Sequence, residues 1–253
     1  MRKCFGRVPV LCGTAIFSVL GFLLRKHQLT AAFDPMGLPT GQGVWGLVIV
    51  CVLALAAFLA VSLQKQSRPG SADNFPPSRT MVILSVLAAG LLIAGNVTAL
   101  TAEIPMATPV NQMMTRFTAI LGIVSGLCFV GAAAGQYKEK KPSSALYLLP
   151  VVYYILQMIF NFKGWSTDPI ILDYCFKLFS LIFVMLAVFH VSGFAFGSGR
   201  CRITLFLCLC GVFFSVVALA DGGAAHVQQT AGSMLWLLAN AWQLLGEKTK
   251  SSQ

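Results

Sequence analysis

The chain has little charge. Only 10% of its 253 residues are Asp, Glu, Lys or Arg, where a soluble domain carries roughly a quarter. Acids are the scarcest, with 8 against 18 Lys and Arg, for a formal charge of +10. Hydrophobic residues make up 57% of the chain and the mean hydropathy is +0.79. No core of this size absorbs so much apolar surface and keeps a wet exterior, so lipid must be the outer solvent. The excess of basic residues, which in a soluble protein raises nucleic acid as a partner, is explained by anionic lipid headgroups at the cytoplasmic face.

Catalytic and metal motifs are missing too. The chain holds no GxxxxGK[ST] loop, no HExxH, no GxSxG elbow and no paired acidic metal motif. Eight cysteines include no CxxC pair and no Cys/His ligand spacing, and Cys208 and Cys210 fall on different faces of a helix. They read as small apolar packing residues. No cofactor, metal or catalytic residue is expected.

What is present is a series of eight apolar stretches, at about 8–24, 44–63, 80–100, 117–135, 144–162, 169–197, 203–220 and 228–245. Each is near the ~20 residues that ~30 Å of hydrocarbon requires. The first resembles a signal peptide, with Arg2, Lys3 and Arg7 before it, but Arg25 and Lys26 follow at once and no small-residue cleavage site closes it. It is expected to stay as an uncleaved helix. Ser78 is positioned to cap the third helix, and Asp168-Pro169 to start the sixth. The expectation is an all-α fold: a polytopic bundle of eight transmembrane helices forming one integral membrane domain over 1–253.

Basic residues give the orientation. With the N-terminus inside, Arg2, Lys3, Arg7, Lys65, Arg68, Arg79, Lys138, Lys140, Lys141, Arg200, Arg202, Lys248 and Lys250 are cytoplasmic, 13 in all. Arg25, Lys26, Arg116, Lys163 and Lys177, 5 residues, fall outside. This asymmetry places both termini in the cytoplasm.

Polar residues inside the stretches mark candidate faces. Tyr147, Tyr154, Gln157 and Asn161 fall within roughly 80° of one another on helix five, with Pro150 in the same sector. Gln229, Ser233, Trp236, Asn240 and Gln243 cluster the same way on helix eight. A polar stripe in lipid must face protein or water. Two meanings stay open: a solute-lining surface, joined by Asn96 of helix three, or hydrogen bonding between packed helices. Small-residue pairs Gly122/Gly126 and Gly131/Gly135 on helix four, and Gly193/Gly197 on helix six, predict close helix approach. Asp173 and Lys177, four apart with the acid first, predict a structural ion pair.

His190, Gly193 and Gly197 form HxxGxxxG, which resembles the sixth helix of rhomboid proteases, with Ser125 as the corresponding nucleophile. The chain departs from that family: Gly122 to Gly126 has one residue too many for GxSG, and helix two lacks the family's His and Asn. Helical rise also sets Ser125 and His190 more than ~10 Å apart in depth. The segments Trp165–Tyr174 and Gly193–Arg202 are similar to uncharacterised multi-pass membrane proteins of Gram-positive bacteria, a resemblance that implies a bacterial plasma membrane and no particular activity. The functional expectation is a small-solute permease or the membrane subunit of a transporter. The alternatives are a non-catalytic scaffold binding another membrane protein, or an intramembrane enzyme.

Overall fold

The computed structural model describes residues 6–31, 44–64, 79–102, 109–137, 145–165 and 174–246. The described residues form eight α-helices: α1 (Arg7–Ala31), α2 (Val44–Gln64), α3 (Arg79–Thr101), α4 (Pro109–Tyr137), α5 (Ala145–Trp165), α6 (Cys175–Ala195), α7 (Cys201–Ala218) and α8 (Ala224–Leu245). A 3-10 turn, Leu219–Asp221, leads from α7 towards α8. Seven helices, α1 to α7, are long and apolar enough to cross a membrane.

Helices α3 to α8 follow one another round a closed ring, each packed on the next and α8 returning to α3. The α1–α2 pair lies against this ring through α7. That makes α7 the most enclosed helix, with 14 of its 18 residues buried. Lipid tails are as apolar as Leu, so burial of apolar surface alone does not hold such helices together; close packing and interhelical hydrogen bonds do.

Small residues set the closest approaches. A methyl group on Gly95 of α3 would lie 2.7 Å from the backbone nitrogen of Gln229 on α8. One on Gly232 of α8 would lie 2.7 Å from Ala88 O. Backbone therefore meets backbone at the α3–α8 seam, where only hydrogen fits. Gly122 of α4 seats the Asn96 side chain, and a methyl on Gly126 would come 2.7 Å from Ile93. This GxxxG face of α4 lies on α3. Gly131 faces Leu146 of α5 at ordinary contact distance, and Gly135 is half-buried near the end of α4.

Helix α4, expected over 117–135, begins earlier, at Pro109, and runs to Tyr137; two other elements depart from their expected bounds for physical reasons. The first apolar stretch, expected to end at Leu24, continues as helix through Arg25, Lys26 and His27 to Ala31. The charge at Arg25 does not end it because that charge is neutralised inside the protein, as described below. The sixth, expected to run to 197, stops at Ala195. Gly197 adopts φ 74°, its N–H donates to Phe194 O at 3.2 Å, and Ser198 N–H donates to Gly193 O at 3.0 Å. This is a Schellman cap, in which the left-handed residue turns the chain out of the helix. Gly197 therefore terminates α6 rather than packing it, and Gly193 faces Gly199 of the same turn. The capping signals at Ser78 and Asp168-Pro169 lie outside the described residues.

Candidate functional site

The polar stripes of α5 and α8 face each other across the ring. Tyr154 and Ser233 share a hydrogen bond of 2.6 Å between their hydroxyls. One turn further along, Gln157 Nε2 donates to Gln229 Oε1 at 3.0 Å. Asn96 of α3 joins the same group, accepting at Oδ1 from Gln229 Nε2 at 3.1 Å and from Tyr153 OH at 3.3 Å. The α3–α8 seam carries one further bond, Thr98 Oγ1 to Gln228 Oε1 at 2.9 Å. Helices α5 and α8 are thus joined by side-chain bridges at a level where their backbones stand apart.

This network floors a cavity of about 620 Å³. The cavity lies at the end of the ring where α3 and α5 finish and α4, α6 and α8 begin. Asn96, Gln157, Asn161 and Gln229 bring amides to it, and Lys163, Lys177 and His226 bring nitrogen groups. A smaller space of about 20 Å³ adjoins, lined in part by Tyr154, Asn161, Ser180 and Ser233. Of the residues expected to line a solute site, Asn96, Gln157 and Asn161 border the large cavity, and Tyr154 and Ser233 border the small one.

The rest of the two stripes serves the packed part of the ring. Trp236 stacks on Phe129 of α4, with centroids 4.4 Å apart and planes 15° from parallel. Asn240 is fully buried and donates from Nδ2 to Trp236 O at 2.7 Å. Tyr147 and Gln243 are buried as well. None of these four borders the cavities. They line the continuation of the same helix faces below the aromatic stack.

At the same end of the bundle, Arg25 of α1 is fully buried. Its Nε donates to Asp221 Oδ1 at 2.9 Å and its Nη1 to Gln28 Oε1 at 3.0 Å. The guanidinium lies over the Phe176 ring, 5.0 Å from the centroid. This cluster ties α1 to α6 and to the turn after α7. Lys177 stands on the first turn of α6, 5.7 Å from the Tyr174 ring centroid; Asp173, its expected partner, lies outside the described residues.

Sequence reasoning missed three groups here. Tyr153 sits one residue off the α5 stripe yet is fully buried and bonded to Asn96. Thr115 and Thr118 line the cavity from α4, which carries no polar stripe. The Arg25–Asp221 pair joins positions 196 residues apart, and no local signal marks it. Ser125 donates to Leu121 O within its own helix at 2.8 Å, while His190 packs edge-on against Phe189. The described residues contain no group of three or more His, Cys, Asp or Glu able to hold a metal. Comparison with family models, with curated proteins and with solved structures returned no match. The fold and composition define the class, a helical protein with, among the described residues, seven helices long and apolar enough to cross a membrane.

Proposed function

We propose that this chain is an eight-span protein of a bacterial plasma membrane, with cytoplasmic termini, that binds a small polar solute as a permease or as the membrane subunit of a transporter. The observation that carries this reading is the cavity of about 620 Å³ at one end of the ring, walled by amides, hydroxyls and ammonium groups from five helices. Its volume falls within the ~300–1,000 Å³ of small-molecule sites. A purely structural scaffold has no use for such a space, since polar side chains in a membrane protein are costly unless they meet partners, water or substrate.

Two observations support the eighth span and the orientation. Helix α8 has 22 residues, about 33 Å at 1.5 Å per residue, and its polar side chains face other helices rather than lipid. The 13-to-5 division of Lys and Arg supports an orientation with the cavity end outside. Anionic headgroups would then meet the basic connections at the opposite end.

The test is accessibility of the cavity wall. A single cysteine at Asn161→Cys, in an otherwise cysteine-free chain, is expected to react with a membrane-impermeant maleimide added to intact cells. No reaction from outside, or reaction only after permeabilisation, overturns the reading.

A further inference from the structure

The face of α8 that floors the cavity does not stop there. Gln229, Ser233, Trp236 and Asn240 follow one another at steps of four, three and four, so one stripe runs on down the helix. At 1.5 Å per residue, Asn240 lies about 16 Å further along the axis than Gln229. Ser233 borders the small space, Trp236 is stacked on Phe129, and Asn240 is fully buried beyond the stack.

Asn240 repeats the geometry of Asn96 without its outcome. Each amide nitrogen donates to the carbonyl four residues back, Asn96 to Leu92 O at 2.8 Å and Asn240 to Trp236 O at 2.7 Å. A carbonyl only accepts, so both nitrogens are fixed and both Oδ1 atoms turn away from those carbonyls. Asn96 Oδ1 receives Gln229 and Tyr153. Asn240 Oδ1 is shielded from water and has no hydrogen-bond partner among the described residues. An oxygen left so carries its full desolvation cost, which an apolar side chain at the same position would avoid. Polar groups in membrane helices face the bundle interior or a water-filled space, and a donor reaches this oxygen only once the stack above it has parted.

The stack can separate without opening a helix seam. Phe129 and Trp236 stand on α4 and α8, which are not neighbours in the ring: α4 packs on α3 and α5, and α8 on α3 and α7. The two aromatic side chains therefore meet across the interior, and rotating them apart leaves the α3–α8 seam in place.

We propose that the solute path continues from the cavity along this face of α8 to Asn240, and that the Phe129–Trp236 stack is its gate, shut in this structure. Parting the stack brings water or solute to Asn240 Oδ1 and supplies the donor it lacks. This rests on the solute-binding reading of the cavity and adds the inner half of the path.

Thiol labelling of the full-length, otherwise cysteine-free protein in membrane vesicles tests it, with 2-(trimethylammonium)ethyl methanethiosulfonate as the probe. Asn240→Cys is expected to react from the cytoplasmic side, in inside-out vesicles, about tenfold or more faster than Ala241→Cys, because labelling follows the fraction of open molecules. Ala241 is fully buried too, on a different face and one residue nearer the end of α8, so fraying of the helix would label it at least as fast. Adding Trp236→Ala should speed labelling of Asn240→Cys from outside, in right-side-out vesicles, by about tenfold or more. Phe129→Ala removes the other half of the stack and should do the same, which covers a Trp236→Ala chain that does not fold. Equal rates at positions 240 and 241, or an outside rate at 240 that neither variant raises, overturns the proposal. If Asn161→Cys is labelled from outside while either result is found, the gate is wrong and the cavity reading stands. If Asn161→Cys is not labelled, the cavity reading fails and the gate falls with it.

Discussion

Arg25 and Asp221 form an ion pair of 2.9 Å with side chains 0% and 4% exposed. The pair joins the first helix to the turn before the last. Removing one partner from such a pair strands the other charge, at a cost of about 3–5 kcal/mol, whereas replacing both with apolar residues is often neutral. Asp221→Ala is therefore expected to lower the thermal midpoint of the purified protein sharply. The double variant Arg25→Met/Asp221→Leu should recover most of the loss. Equal loss in the single and double variants would mean that the pair contributes more than mutual neutralisation.

The α3–α8 seam makes a sharper packing test. Gly232→Ala puts a methyl group 2.7 Å from both Ala88 O and Leu92 N. Overpacking of this kind costs about 1–3 kcal/mol. Gly90→Ala on the same α3 meets nothing within 4 Å, and removing a helical glycine there should be neutral or gain up to ~1 kcal/mol. Thermal unfolding in detergent reads both, and similar effects from the two variants would refute the seam.

Asn96 and Asn161 both border the cavity, but only Asn96 is a hub. Asn96→Leu leaves Tyr153 and Gln229 short of an acceptor and is expected to cost about 1–3 kcal/mol for the stranded group. Asn161 makes no side-chain hydrogen bond among the described residues, so Asn161→Leu should change stability by no more than about 0.5 kcal/mol. The same unfolding assay distinguishes them. A large loss from Asn161→Leu would place it in the structural network.

Topology is checked by single cysteines. Replacements at Gly70, Lys140 and Arg200 are expected to label only after permeabilisation, and those at Leu38, Thr108 and Ser166 in intact cells. Reversal of either set sinks the orientation proposed above.

Apolar stretches long enough to cross a bilayer are local features, so the helices were readable from composition. The stripes on α5 and α8 were readable from periodicity, because each recurs on its own helix. Their meeting was not, since Tyr154 and Ser233 are 79 residues apart and nothing local selects the pair. Arg25 misled the reading of α1 for the same reason: a charge ends a membrane helix unless a remote partner neutralises it. Gly95 and Gly232 escaped notice because each is a single glycine, and their close approach belongs to the pair of helices rather than to a motif within one. Gly197 looked like part of a packing motif by spacing alone, and its positive φ gives it another use.

The closed ring has a consequence for how the chain is made. The seam that holds α3 belongs to α8, a helix synthesised five elements later. Asn96 waits for Gln229, which emerges 133 residues later, on the order of ten seconds at typical translation rates. Until then the Gly95 face of α3 waits uncovered, and the Asn96 amide has Leu92 O, its seat at Gly122 and, once α5 is in place, the Tyr153 hydroxyl. The order of synthesis thus makes α8 the closing member of the assembly, and a chain truncated before it would leave the first seven helices without the wall on which the floor of the cavity is built.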